Sequence, residues 1–300
     1  MDFLLTCDVE SFSIPLNRCD QDTGHQVYKV GLPRVLELCA KHDIPATFYF
    51  TGELAEIVPE AIDLVKDHAH EIGCHGYSHD VDRAFDLLTL DQQIQDLTKA
   101  KKIIESVAGT IVSFRAPALR INDDLVNALK ITGFETDSSI CPQRFDGPFT
   151  FGSTKKLNWL SATRKPGYLD KDHSVLEIPI SAFIIPYIGT TMRMAPTLIK
   201  ILEKFLFYES KITEKPLVFL FHPNECIDIK NPVERTRRTK NYFHYIFADV
   251  IRQQMKLKNL GAPSIRLLDT ILTSAHHSGF EFVTAKEFSN KFKNKNAEIQ

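Results

Sequence analysis

The chain is predicted to be an α/β protein built on a parallel sheet, and three observations lead there. Short apolar runs alternate with stretches of helical periodicity, and strand–helix alternation means parallel strands joined by right-handed crossovers. Clusters of polar, chemistry-bearing residues fall where the strands end, which is where the active sites of such sheets collect. The length, 300 residues, suits one barrel of alternating strands and helices. No internal repeat, low-complexity segment or linker divides it. The expectation is one catalytic domain over 1–300, with a mostly helical insertion at about 226–262.

Phe3-Leu4-Leu5-Thr6-Cys7 forms a short buried strand that ends in Asp8-Val9-Glu10. Alternation along a strand puts Asp8 and Glu10 on one face, where two carboxylates repel unless a cation or a shared proton compensates. Residues 11–30 lack periodicity and are expected to form a loop over the site. Leu32, Val35, Leu36 and Cys39 then recur at helical spacing, with Pro33 tolerated in the first turn. A strand over 45–50 stops at Gly52. Helix 61–68 leads to strand 72–74, which delivers His75 and His79. The spacing of these two histidines lets both imidazoles point one way from a single helical turn, as a divalent metal requires.

Helix 90–107 follows, then strand 111–114 ending in Arg115-Ala116-Pro117. Helix 125–132 is closed by Gly133, a good C-terminal cap. Phe134-Glu135-Thr136 leads to Asp137-Ser138-Ser139. Residues 141–174 are irregular, and Trp159 with the aromatics of 145–151 reads as core. A strand over 175–183 is broken by Pro179. Beyond it lie an unusually apolar helix over 197–208 and a buried strand over 216–221 ending in His222-Pro223-Asn224-Glu225. Helices over 242–257, 264–277 and 285–292 and a strand over 280–283 complete the chain.

Composition is ordinary for a globular protein: 43% hydrophobic, 25% charged, net charge −2. Nothing suggests nucleic-acid binding. Six cysteines are scattered with no Cys-x-x-Cys, which reads as reduced thiols in a reducing compartment. The opening Met1-Asp2-Phe3 has no basic leader, so a cytoplasmic location is expected.

The ordered set Asp8-Val9-Glu10, His75-Gly76-Tyr77-Ser78-His79, Arg115-Ala116-Pro117, Asp137-Ser138-Ser139-Ile140 and Leu220-Phe221-His222-Pro223 resembles the polysaccharide deacetylase family. These are the NodB-homology enzymes of carbohydrate esterase family 4. The stretches Gly31-Leu32-Pro33-Arg34 and Lys41 to Phe48 resemble its cytoplasmic branch. The resemblance implies a distorted (β/α) barrel with about seven strands. It implies a divalent metal, usually zinc, and hydrolysis of an N-acetyl or N-formyl group on an amino sugar or sugar conjugate. Glu10, His75 and His79 would hold the metal and Asp8 would be the base. The familiar pattern has two adjacent aspartates, so the wider spacing here leaves the roles of Asp8 and Glu10 exchangeable. Tyr77 and Pro117 fall in motifs expected to bind substrate.

The residues themselves supply a mechanism for that chemistry. A carboxylate within reach of a water can take its proton, as Asp8 would. Arg115 would aim that carboxylate. His222, at a strand end, would protonate the leaving amine, and Asp137 would orient His222 or Arg115. Two other readings stand beside this one: hydrolysis of another amide, such as a ureide in an allantoinase-like reaction, or an inactive carbohydrate-binding relative. Finally, Ile201 to Phe207 is more apolar than one buried face needs, and Lys230, Arg235, Arg237, Arg238 and Lys240 lie in the insertion. Both features point to peripheral contact with the inner membrane face and to a lipid-linked or phosphate-bearing sugar as substrate.

Overall fold

A computed structural model describes residues 1–80, 83–144, 162–228, 241–242 and 245–297. Nine strands make one sheet. They are β1 (Asp2–Val9), β2 (Thr47–Phe50), β3 (Glu71–Cys74), β4 (Ser113–Phe114), β5 (Thr136–Asp137), β6 (Gly167–Tyr168), β7 (Leu176–Glu177), β8 (Leu217–Phe221) and β9 (Glu281–Phe282). The order is β8-β1-β2-β3-β4-β5-β7-β6, with β9 also pairing β1. Every pairing is parallel except β6 with β7. Leaving out the antiparallel β6 and the side strand β9, seven of the nine strands form the parallel run that the sequence leads one to expect.

The sheet curls until its ends meet. Beyond β7, the Ser181 N–H donates to the Val218 carbonyl at 3.1 Å, and the Val218 N–H donates to Ser181 Oγ at 2.9 Å. Ile188 bridges to Leu220 in parallel. The structure is thus a distorted (β/α) barrel. Its centre is β1, where Leu4, Leu5, Cys7 and Val9 are fully buried, because a strand with neighbours on both edges and layers on both faces needs apolar residues throughout.

Several elements depart from the sequence-based expectation. Residues 11–30 are not one loop. Phe12–Ser13 pairs with Arg18–Cys19 in a small hairpin, and helix Gln21–Gln26 follows, capped by the Asp20 carboxylate on the Thr23 N–H. A wide π-turn, Val27–Gly31, then runs into helix Leu32–His42. Gln21–Gln26 carries one buried residue, Gly24, so it had no apolar stripe to read. A second short helix, Gly52–Ile57, starts where the strand was expected simply to stop, with Thr51 as its N-cap. The single strand expected over 175–183 is instead β7 and a separate hairpin, Ala182–Phe183 with Ile185–Pro186. Pro179, between them, has no N–H to carry the ladder on.

The insertion lies partly outside the described residues, as do Trp159, the aromatics of 145–151 and all five of its basic residues. Within it, the π-helical turn Tyr245–Ile251 is continued by the α-helix Arg252–Lys256. All six cysteines are free thiols. Among the described residues no helix is long and apolar enough to cross a membrane.

Gly31 makes a close approach that positions the barrel mouth. A Cβ there would lie 2.4 Å from the carbonyl oxygen of Pro223, the residue after His222. Backbone on backbone has no rotamer with which to relieve that clash. Gly31→Ala is expected to lower unfolding stability by about 1–3 kcal/mol, read from the midpoint of urea denaturation. An unchanged midpoint would mean the two segments part freely.

Candidate active site

The C-terminal ends of the parallel strands bring one constellation together. β1 delivers Asp8 and, just past its end, Glu10, β3 leads into His75 and His79, β4 into Arg115, and β8 into His222. Glu10, His75 and His79 each offer a ligand atom, and these atoms all lie within 4.8 Å of one another. Glu10 Oε2 stands 3.6 Å from His75 Nε2 and 3.3 Å from His79 Nε2. It is buried and makes no hydrogen bond.

The two histidines do not sit on a helical turn, as their spacing suggested. The His75 N–H still pairs with the Phe50 carbonyl at 2.7 Å, so His75 extends β3. Gly76 then turns the chain at φ 66, a left-handed conformation that glycine adopts without strain. A Cβ there would also press on Phe85 and Pro117. The Tyr77 N–H donates to Asp96, and the Gly76 and Tyr77 carbonyls accept from the N–H groups of Gly52 and Glu53. A pinned loop, rather than a helix, aims both rings at Glu10.

The donor set fits a divalent cation. His75 Nδ1 lies 2.8 Å from the Arg115 carbonyl oxygen. A carbonyl offers no proton, so Nδ1 carries it and Nε2 presents its lone pair to Glu10. Burial, reinforced by His75 and His222, outweighs Glu10 and lowers the pKa of His79, which favours the neutral, ligating imidazole. Burial would raise the Glu10 pKa, but the neighbouring His79, His75 and His222 bring it down to about 2. Two lone pairs and a carboxylate thus converge on one point. A cation there would turn that repulsion into coordination and give Glu10 Oε2 its missing partner.

Asp8 reaches the same group. Its Oδ2 is 3.6 Å from His75 Nε2 and 3.8 Å from His222 Nε2, and its Oδ1 accepts from Arg115 Nη1 at 2.8 Å. Arg115 is fully buried. It also donates from Nε to the Ser138 carbonyl at 3.0 Å and from Nη2 to Ser138 Oγ at 2.8 Å, and it stacks over the Tyr49 ring.

His222 is held by a residue that sequence reasoning did not single out. Its Nδ1 is 3.4 Å from Glu225 Oε1, and Arg193, 1% exposed, pairs with Glu225 Oε2 at 3.0 Å. Burial opposes the charge on His222, but the hydrogen bond to Glu225 and the charges of Glu10 and Asp8 prevail and raise its pKa to about 9. The signal was present in the i, i+3 spacing of His222 and Glu225. Arg193, thirty-two positions from Glu225, left none.

Three expected site residues lie elsewhere. Asp137 does not orient His222 or Arg115: its Oδ1 accepts from Ser139 Oγ, whose hydroxyl oxygen in turn accepts the Ala116 N–H, and it neighbours the buried Glu177. Tyr77 donates its hydroxyl to Glu56 at 2.7 Å and lies beneath Lys99, so it braces the loop from outside. Pro117 is buried against Gly76. In addition, Phe12 packs on the His79 ring, and its carbonyl accepts from Asn224 Nδ2 at 2.8 Å. The hairpin that sequence reasoning took for loop is therefore tied to the turn after His222.

Fold and site together define a distorted (β/α) barrel with a candidate metal site at its mouth. Residues 22–136 match the polysaccharide deacetylase family. A peptidoglycan deacetylase of Helicobacter pylori is 31% identical over 118 residues, 39% of this chain and 39% of that protein. The chain spans half or less of the length of the curated relatives it matches. Among solved structures, a Pseudomonas aeruginosa PAO1 protein described as a "probable Polysaccharide deacetylase" aligns over 96% of this chain and 89% of its own at TM-score 0.61 and 15% identity. An allantoinase aligns over the same shares at TM-score 0.61 and 14% identity, so the fold alone does not separate these chemistries. Residues 22–136 are thus similar to the polysaccharide deacetylase family.

Two expectations follow. Purified protein should hold about one divalent metal per chain, and His75→Ala and His79→Ala should each lose it by elemental analysis; metal retained in both would remove the site. Second, burial raises the Asp137 pKa from 3.8 to about 6, and burial beside Asp137 lifts Glu177 well above its ordinary range. A carboxyl whose folded pKa is raised contributes stability that is fully present below its unfolded value and is lost as pH rises through the folded one. The pair should therefore contribute a loss of melting temperature as pH climbs from about 4 through 6, read as the difference between the wild-type profile and that of a variant lacking one acid. Glu177→Gln, which keeps an acceptor for the Ile140 N–H, should flatten that fall. Parallel profiles would show that the pair stays neutral or ionised throughout.

Proposed function

We propose that the protein is a metal-dependent hydrolase that removes an N-acetyl or N-formyl group from an amino sugar or sugar conjugate. The observation that carries this reading is the placement of the Asp8 carboxylate between the metal-ligand group and His222, 3.6 Å from His75 Nε2 and 3.8 Å from His222 Nε2. A base and an acid thus stand side by side next to the metal-ligand group, as amide hydrolysis requires. The names of the relatives, peptidoglycan deacetylases among them, support the substrate class.

Glu10, His75 and His79 would hold the metal, for which we propose zinc, and it would supply Lewis acidity towards the amide carbonyl and the attacking water. The roles of the two acids follow from their partners. Glu10 keeps an unbonded oxygen at the histidines, whereas one Asp8 oxygen is already occupied by Arg115. Asp8 therefore takes the water proton through Oδ2, and Arg115 fixes its aim. His222, protonated near neutral pH, gives its proton to the departing nitrogen. Glu225 and Arg193 keep that imidazole turned towards Asp8.

Asp8→Asn should retain metal and lose about 10²–10⁴-fold in turnover on an N-acetyl amino sugar. Glu225→Gln should lower kcat and move the basic limb of its pH profile, set in the wild type by a group near 9, to lower pH. Loss of metal in Asp8→Asn would exchange the roles of the two acids. Turnover of cyclic amides with none on N-acetyl or N-formyl sugars would replace the proposed reaction.

A further inference from the structure

The helix Pro196–Thr213 buries one face, through Ile199, Leu202, Leu206 and Phe207, against the barrel. It carries a second apolar face that is open. Leu198, Ile201, Phe205, Tyr208 and Ile212 are spaced by three and four residues, so they form one continuous stripe. They are 42–66% exposed. Large apolar patches on a folded surface mark a contact. Beside the stripe, the hairpin after β7 holds Ile184 at φ 68 with more than half of its surface exposed. A β-branched residue is strained in that conformation. Phe183 joins hairpin and helix by stacking flat on Phe205, with ring centroids 5.0 Å apart.

The charges around the stripe decide what covers it. Lys200, Lys204 and Lys211 are exposed along the helix and make no salt bridge among the described residues. Glu209, the acid nearest the stripe on its helix, is already paired with Arg164 and Lys215, each at 2.7 Å. A second copy laid along the stripe would bring lysines against lysines with no spare carboxylate between them. An anionic surface complements every one of them. Lysines flanking a stripe of aliphatic and aromatic residues on a surface helix fit the boundary between lipid headgroups and acyl chains, where the ammonium groups reach outward.

We propose that helix Pro196–Thr213 and the Ile184 hairpin form a docking face for an anionic lipid membrane, so that the enzyme works as a peripheral membrane protein. This reading does not depend on the catalytic assignment. The residues of the face touch none of the metal-ligand group or its proton-transfer partners, and the two readings fail separately.

The test is flotation of the full-length protein with vesicles of phosphatidylcholine alone and of phosphatidylcholine mixed with phosphatidylglycerol, at low and high salt. The protein should float with the anionic vesicles at low salt and be released by high salt. Phe205→Ser should abolish flotation. Each of Lys204→Gln and Lys211→Gln, surface changes that leave the packed face untouched, should lower partitioning roughly fivefold. Metal content and melting temperature serve as the check on folding. No flotation with anionic vesicles, or flotation equal in the wild type and all three variants, overturns the proposal. So does a stable dimer that Phe205→Ser dissolves and vesicles do not compete, since a second copy would then own the face.

Discussion

The buried pairing of Arg115 with Asp8 is the constraint on which the rest of the site depends. Both groups are nearly or wholly out of water, at 0% and 3% exposure. A lone buried charge is so costly that removing one partner of such a pair typically destabilises by about 3–5 kcal/mol. The pair is tolerated because each of the three guanidinium nitrogens donates a hydrogen bond, Nη1 to Asp8, Nε to the Ser138 carbonyl and Nη2 to the Ser138 hydroxyl. One side chain thereby ties the mouth of β4 to those of β1 and β5. Its own carbonyl does further work by accepting from His75 Nδ1, which sets the tautomer that a metal ligand needs. The aim of the Asp8 carboxylate and the tautomer of His75 come from the two ends of the same residue.

The acid side is built separately and from more distant chain. His222 leaves β8, but the carboxylate that holds it is braced by Arg193, which arrives from beyond the closure of the barrel. Arg193 is held in turn by the carbonyls of Lys256 and Lys258, so the end of the insertion reaches His222 through two links. The same segment grips the hairpin over the metal ligands, where Gln253 donates to the Ile14 and Pro15 carbonyls. Gly189 and Gly31 permit these approaches, since a Cβ on either would strike Glu225 or the Pro223 backbone. The insertion therefore acts as a strap on both halves of the site.

Much of this was legible before any coordinates. Strand and helix order came from the alternation of apolar runs with helical stripes, and parallel strands then require that the polar residues at their ends share one mouth. Asp8, Glu10, His75, His79, Arg115 and His222 all lie there for that reason. What failed was local geometry. The helix Gln21–Gln26 has too little apolar surface to show a period. The His75–His79 spacing suited a helix, but β3 continues into His75 and a glycine bends the chain instead.

By itself, then, the amino-acid sequence determined the fold class, the end of the barrel at which the candidate site gathers, and the acids, imidazoles and guanidinium present there. These depend on periodicity and chain order, which a linear string records. Only the tertiary structure decided who partners whom. It drew Asp137 away to Ser139 and Glu177, turned Tyr77 outward onto Glu56, and gave His222 the support of Glu225 and Arg193. It also showed that helix Pro196–Thr213 keeps one apolar face in the core and one in the open. Such choices depend on distances between residues far apart in the chain and on which groups lose their water together, and neither exists until the barrel closes.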